Sequence, residues 1–317
     1  MGRSLDIIIV NWNAAEQLRQ CVMSIVDADQ GSVDLQRTVI VDNASTDDSL
    51  EGVEEMGVPV TVVRNDRNRG FAAACNQGAK NSNADYLLFL NPDTRLDQNA
   101  LVDPIHFMEY PQNSTVGIVG IQLVDAQGHV TPTCARFPTV GRFLTKMVGL
   151  DRALPSVFTP HFMTEWDHRD SRPVDQVMGA YFLIRRSLFD KLGGFDERFF
   201  VYFEEVDLSV RARSGGWTTY YLSRVKSYHR GGGVTDQVKA TRLFYSLRSR
   251  ILYGYKHFGR VWGTLLLVTT VAIEPFSRLI LALSRRSSSE LGETLRAYLM
   301  LWGTLPRLTA PDLPVRT

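Results

Sequence analysis

The sequence predicts an α/β fold, a doubly wound and mostly parallel sheet followed by a helical appendage. Short β-branched runs alternate with stretches of helical spacing through the first 120 residues. Polar clusters follow four successive strands at once, and residues 239–317 change to basic, apolar helical patterning. Strands are expected at 5–10, 38–42, 60–63, 86–90 and 116–121, with helices at 14–27, 46–56, 71–82 and 98–110 between them. Ser45 followed by Asp48 reads as a capping box for the second helix. Residues 125–175 are interrupted by Pro132, Pro138, Pro155, Pro160 and Pro173 and show no clean period, so a long loop or lid is expected there. A strand at 180–185 follows, then a helix at 187–192 stopped by Gly193-Gly194, a helix at 205–214 stopped by Gly215-Gly216, and a strand at 218–222.

Composition narrows the class. The 317 residues are 44% hydrophobic and 22% charged, with 35 Lys+Arg against 34 Asp+Glu. That excludes collagenous, disordered and disulfide-stapled chains, and the balance of charge gives no signal for nucleic acid. Cys21, Cys75 and Cys134 are an odd number with no CxxC, and no leader-like apolar run precedes the first strand, so a reducing, cytoplasmic location is expected. Charge is unevenly placed, however: residues 239–317 hold twelve Lys+Arg and four Asp+Glu, which leaves residues 1–238 acidic. The tail reads as a helix over 239–258, an uncharged run over 261–273, Glu274-Pro275, and a second apolar stretch to Leu283. Thirteen residues rise only about 20 Å in a helix, short of a bilayer core of about 30 Å. The tail therefore reads as helices lying on an anionic leaflet, or as an appendage packed on the sheet.

Ligands of open parallel sheets bind beyond the carboxyl ends of the strands. Four polar clusters fall there: Asn11-Trp12-Asn13, Asp42-Asn43-Ala44-Ser45, the turn 64–71, and Asn91-Pro92-Asp93. With no glycine after the first strand, a dinucleotide GxGxxG site is disfavoured. Asp42 reads either as an acceptor for a pyrimidine N–H or ribose hydroxyl or as a turn residue, and Asn43 and Asn76 offer amide contacts. Asp93, at the rim of a buried strand, reads as a ligand for Mg2+ or Mn2+ or as part of an Asx turn opened by Asn91. Glu204, Glu205 and Asp207 crowd one helix start, which either complements the macrodipole or raises a carboxylate toward general-base duty. His229, ahead of Gly231-Gly232-Gly233, reads as a metal ligand or as structural.

Six ordered blocks then resemble the family 2 glycosyltransferases, in particular the rhamnosyltransferase-like branch acting on cell-envelope polysaccharides. They are Ile8-Ile9-Val10-Asn11-Trp12-Asn13; Val41-Asp42-Asn43-Ala44-Ser45-Thr46-Asp47; Asn68-Arg69-Gly70-Phe71-Ala72 with Asn76-Gln77-Gly78; Leu90-Asn91-Pro92-Asp93; Gly179-Ala180 with Gly193-Gly194-Phe195-Asp196; and Glu204-Glu205-Val206-Asp207 with Arg211. The resemblance implies a GT-A domain over 1–238, with a nucleotide-sugar half at 1–124 and an acceptor half at 125–238, followed by the basic helical tail. It implies that Asn11, Asn13, Asp42, Asn43, Gly70, Phe71, Asn76 and Asn91 serve the nucleotide-sugar. Asp93 matches the last Asp of the family's DXD motif, whose first position here is Asn91, and His229 falls at a third-ligand position. Glu205 matches the catalytic base, Glu204 is the alternative base or an acceptor-orienting acid, and Asp207 orients acceptor or starts the helix. The implied reaction is inverting transfer of L-rhamnose from dTDP-rhamnose to a polyprenyl-diphosphate-linked or polysaccharide acceptor, with Mg2+ or Mn2+, by an enzyme peripheral on the inner face of the cell membrane. A UDP-sugar donor is the alternative within the fold, and a non-catalytic glycan-binding scaffold the alternative from another class.

Overall fold

The computed structural model describes residues 2–231 and 238–308. Gly232 and Gly233, and the tail beyond 308, lie outside the described residues. Twelve strands occur in chain order: β1 (Arg3–Asn11), β2 (Val33–Asp42), β3 (Val60–Arg64), β4 (Tyr86–Leu90), β5 (Thr94–Leu96), β6 (Val116–Val124), β7 (Val130–Thr131), β8 (Cys134–Ala135), β9 (Arg172–Val174), β10 (Gln176–Val177), β11 (Tyr181–Arg185) and β12 (Thr218–His229). The main sheet runs β3-β2-β1-β4-β11-β6-β12-β5. β1, β2, β3 and β4 pair in parallel, as do β6 and β12. β11 inserts antiparallel between β4 and β6, and β5 closes the far edge antiparallel to β12. The fold is therefore mixed but mostly parallel.

The chain forms two compact units, one of Met1–Phe137, Phe162–Glu197 and Glu204–Val234, the other of Pro138–His161, Arg198–Phe203 and Thr235–Thr317. The first unit has three layers, and the alternation of β1 shows why. Ile7 and Ile9 face one core with Leu18, Val22 and Ile25 of α1 (Glu16–Asp27), whereas Ile8 and Val10 face the other with Ala72, Ala74 and Cys75 of α2 (Phe71–Ala79). A strand covered by helices on both faces has no polar side, hence the unbroken apolar runs of β1 and β4. α3 (Val102–Glu109) adds Ile105 and Met108 to the first core. In the second, Phe89 packs at 5.2 and 4.9 Å ring separations on Phe189 and Phe195.

The remaining helices are α4 (Val140–Met147), α5 (Leu150–Ala153), α6 (Arg186–Lys191), α7 (Glu204–Ser214), α8 (Lys239–Val268), α9 (Glu274–Ser284) and α10 (Ser288–Leu308). Four local expectations are corrected. Residues 46–56 hold only a 3-10 turn, Val53–Glu55. Ser45 caps no helix there: its hydroxyl donates to Asp42 Oδ1, and the Ser49 hydroxyl donates to Asp47 Oδ1, local bonds that compete with helix formation. Residues 125–175 are not one loop, because β7, β8, α4, α5 and β9 lie within them, with Thr139 capping α4 by accepting from the Arg142 N–H. β12 runs seven residues past 222, to His229. In the tail α8 continues to Val268 through a non-helical Gly259 (φ 78°), a π-helical turn Thr269–Ile273 leads into α9, and α10 is an additional helix.

Candidate active site

The carboxyl ends of β1 and β2 carry a closed polar network. Asp42 is 4% exposed. Its Oδ1 accepts from Asn11 Nδ2 at 2.8 Å and from the Ser45 hydroxyl, and its Oδ2 accepts from the Ser45 N–H at 3.1 Å. Asn11 Nδ2 also reaches the Ser45 and Ser49 hydroxyls, while its buried Oδ1 has no partner among the described residues. Asn13, at φ 50°, accepts from the Thr46 N–H through Oδ1 at 2.7 Å. Asn43 donates to the Gly70 carbonyl at 3.2 Å and accepts from Asn65 Nδ2 at 3.0 Å, which ties the β2 turn to the turn before α2. Gly70 starts α2 at φ 89°, a conformation strained for any residue with a Cβ. Phe71, half-buried, begins α2 and packs on the second core.

Asn76 is directed elsewhere. Its Nδ2 donates to the Phe195 carbonyl at 2.9 Å and to Glu197 Oε1 at 3.0 Å, and its Oδ1 accepts from the Phe195 N–H. A Cβ on Gly194 would stand 2.6 Å from that Oδ1, so the Gly-Gly turn is shaped around the amide. Asn76 thus braces the loop after α6.

Sheet register brings together the two residues singled out as metal ligands. In the antiparallel β5–β12 pair His229 lies opposite Thr94, the residue after Asp93. His229 Nε2 stands 3.3 Å from Asp93 Oδ1, with 7% and 12% of the two side chains exposed. The Arg230 N–H donates to the Asp93 carbonyl at 3.1 Å, and the Asn91 N–H to the Ala180 carbonyl at 3.0 Å, which fixes both ends of the tripeptide. Beneath it, Cys21 Sγ donates to the Asn91 carbonyl at 3.6 Å, and burial pushes that thiol well above its ordinary value. One carboxylate and one imidazole suit a divalent cation that keeps water and shares phosphate oxygens, so these residues fit Mg2+ or Mn2+. No group of three His, Cys, Asp or Glu side chains assembles among the described residues.

The start of α7 holds the second titratable cluster. Glu204 is 4% exposed and Glu205 is half-buried, and the Oε2 of each is buried without a hydrogen-bond partner among the described residues. Desolvation raises Glu204 well above the ordinary carboxylate range and its neighbour Glu205 adds to the shift; the backbone N–H bond to it opposes them. Burial likewise raises Glu205 against the N–H groups of the first turn. The two residues just before the helix, Tyr202 and Phe203, have φ of 69° and 72°, a strained entry for bulky side chains. Asp207, fully buried, accepts from Arg211 Nε at 2.8 Å, and the other Arg211 nitrogens donate to the Leu192 and Gly194 carbonyls. Asp207 is thereby tied, through Arg211, to the same Gly-Gly turn that Asn76 braces. Ser49, Asn65 and Arg211, which complete these networks, were not among the residues assigned a site role from sequence; for Arg211 the signal was its i, i+4 spacing from Asp207.

A mixed α/β sheet with polar groups beyond its strand ends and an Asp–His pair at its edge is one side of the comparison with known proteins. The family description "Glycosyl transferase family 2" matches residues 6–193. The chain belongs to glycosyl transferase family 2. Among curated relatives of this transferase, the N-acetylglucosaminyl-diphospho-decaprenol L-rhamnosyltransferase of Mycobacterium tuberculosis is 26% identical over 269 residues, 78% of this chain and 83% of that protein. The rhamnosyltransferase WbbL of Escherichia coli K12 is 26% identical over 147 residues, 46% of this chain and 52% of that protein. Among solved structures, the Pyrobaculum calidifontis mannosyltransferase PcManGT in complex with GDP-Man and Mn2+ superposes with a TM-score of 0.56 at 16% identity, covering 98% of this chain and 82% of that one. These likenesses show the fold, which is GT-A. The family match ends at 193, so Glu205 and His229 lie beyond it.

Proposed function

We propose that this glycosyltransferase transfers L-rhamnose from dTDP-rhamnose, with inversion, to a lipid-linked glycan acceptor in cell-envelope synthesis. The observation that carries the reading is the meeting of Asp93 and His229 at the edge where β5 and β12 pair, in a chain 26% identical to a rhamnosyltransferase over 78% of its length. The relative's name supplies the donor sugar and the polyprenyl-diphosphate class of acceptor. Asp93 and His229 would hold Mg2+ or Mn2+, which supplies positive charge for a diphosphate leaving group. Glu205, its carboxylate raised by burial, takes the proton of the acceptor hydroxyl as that oxygen attacks the anomeric carbon. Asn11, Asn13, Asp42 and Asn43, hydrogen-bonded at the strand ends, form the floor for the nucleotide. Glu204 keeps the pair poorly solvated, and Asp207 with Arg211 fixes the helix that presents it.

The test is nucleoside diphosphate release from a panel of dTDP-, UDP- and GDP-sugars with a prenyl-diphosphate-linked acceptor, with and without Mn2+. Cation-dependent turnover of dTDP-rhamnose, lost in both Asp93→Ala and His229→Ala, supports the proposal. Preference for a UDP-sugar overturns the donor assignment. Turnover that neither substitution alters overturns the metal site.

A further inference from the structure

The second unit exposes apolar residues at helical spacing that its own core does not use. On α9 Phe276, Ile280 and Leu283 follow an i, i+4, i+7 stripe and are 66%, 68% and 66% exposed, while Glu274 and Ala282 on the same helix are buried. On α10 Leu299 and Trp302 are exposed, while Ala297, Tyr298 and Leu301 are buried. Trp262, on the distal part of α8, is exposed as well. A surface helix of a soluble protein buries its one apolar stripe; helices with a second, outward stripe have a partner.

The helix from Lys239 to Ser284 is long and apolar enough to cross a membrane by length and composition. Its internal contacts exclude a straight span. Residues 250 and 274 would lie about 36 Å apart along a continuous helix. Instead Arg250 donates directly to Glu274 and to Thr270, and Arg278 donates to the same carboxylate at 2.9 Å. The chain therefore doubles back, with Gly259 as its non-helical point. The returning leg carries Glu274 and Arg278, which a span would force into hydrocarbon.

We infer that the exposed apolar residues of α8, α9 and α10 dock flat on an anionic bilayer surface. Charge selects the occupant. Arg260 and Arg286 are exposed, and residues 239–317 hold twelve Lys+Arg against four Asp+Glu. Two copies of such a surface repel each other, whereas anionic headgroups complement it. Trp262 and Trp302 have the amphipathic rings suited to the headgroup boundary. The inference stands on the second unit alone and joins the proposed function only in that a lipid-linked acceptor is met at a membrane.

The test is co-flotation of the full chain with phosphatidylcholine vesicles, with or without phosphatidylglycerol, alongside the variant Phe276→Asp/Ile280→Asp. The native chain should partition about tenfold more strongly onto the anionic vesicles, in a salt-sensitive manner, and the variant about 100-fold less, with an unchanged melting curve. Equal, weak partition of the native chain to both vesicles overturns the inference. So does native-like flotation of the variant, as does a native dimer that the variant converts to monomer without changing flotation. Retention of the chain in cell membranes through an alkaline carbonate wash would show a span instead. Nucleoside diphosphate release in detergent, without vesicles, reads the proposed function separately.

Discussion

Two buried carboxylate sites in the first unit are built on opposite terms. At Asp42 both oxygens accept bonds from Asn11 and Ser45, and the side chain serves as the hub of two turns. At Glu204 and Glu205 the carboxylates crowd together, each with an oxygen that is buried and unpartnered, and both are held above the ordinary carboxylate range by burial. The first arrangement stabilises the fold and has little free capacity for chemistry. The second costs stability and keeps a base whose proton affinity is raised. The difference teaches which carboxylate a fold uses as a strut and which it holds in reserve for a reaction.

The largest effect that would sharpen this contrast is on turnover. Glu205→Gln should lower kcat about 10³-fold, within the usual range for losing a positioned base, while circular dichroism and melting stay native. A loss under tenfold breaks the assignment and moves attention to Glu204. Next comes Asp42→Ala, which strands the donors of Asn11 and Ser45 and should cost about 3 kcal/mol in urea denaturation. A cost below about 0.5 kcal/mol would mean that the hub is decorative. Glu204→Gln should act in the opposite direction and stabilise the fold at pH 8 in urea denaturation. Because the folded carboxyl is raised, the native chain loses stability as pH rises from the ordinary carboxylate range through the raised value. The gain from Glu204→Gln should therefore vanish at low pH, and a constant gain at every pH would contradict the raised carboxyl. The smallest expected effect is a displacement of the acid limb of kcat/KM, which should lie above the ordinary carboxylate range; a limb within that range argues against Glu205 as base.

The parts of the fold legible in sequence are those whose pattern is local. Tyr86–Leu90 is a strand at its expected bounds, because five consecutive apolar residues need helices on both faces. The helix expected over 46–56 fails because the Ser45 hydroxyl donates to Asp42, and Asp47 accepts from both the N–H and the hydroxyl of Ser49. Helix α10 carries no local mark in the sequence, because a polar first turn precedes an apolar stripe that begins later. The site follows the same division. Asp93 and His229 could each be picked out from their own short motifs, but their approach depends on β5 pairing with β12, a long-range register that no spacing encodes. Asn76 shows the converse: its neighbours suggested a nucleotide contact, and its amide is committed to a loop more than a hundred residues away in sequence.

That register has a consequence for which length changes the chain tolerates. On β12, Leu222 lies opposite Ile121 and Lys226 opposite the next residue, Gln122, so Ser223, Arg224 and Val225 form an interruption without partners on β6. Side chains alternate along a strand, so adding or removing a single residue in this interruption turns His229 to the opposite face while leaving every residue type intact. Two of the three residues are also fixed in kind: Val225 is buried in the first core, the Ser223 N–H donates to the Ser171 hydroxyl at 2.9 Å, and Arg224 alone of the three is exposed. A chain of this kind can drift in composition at residue 224 and is still held to the number of residues in the interruption.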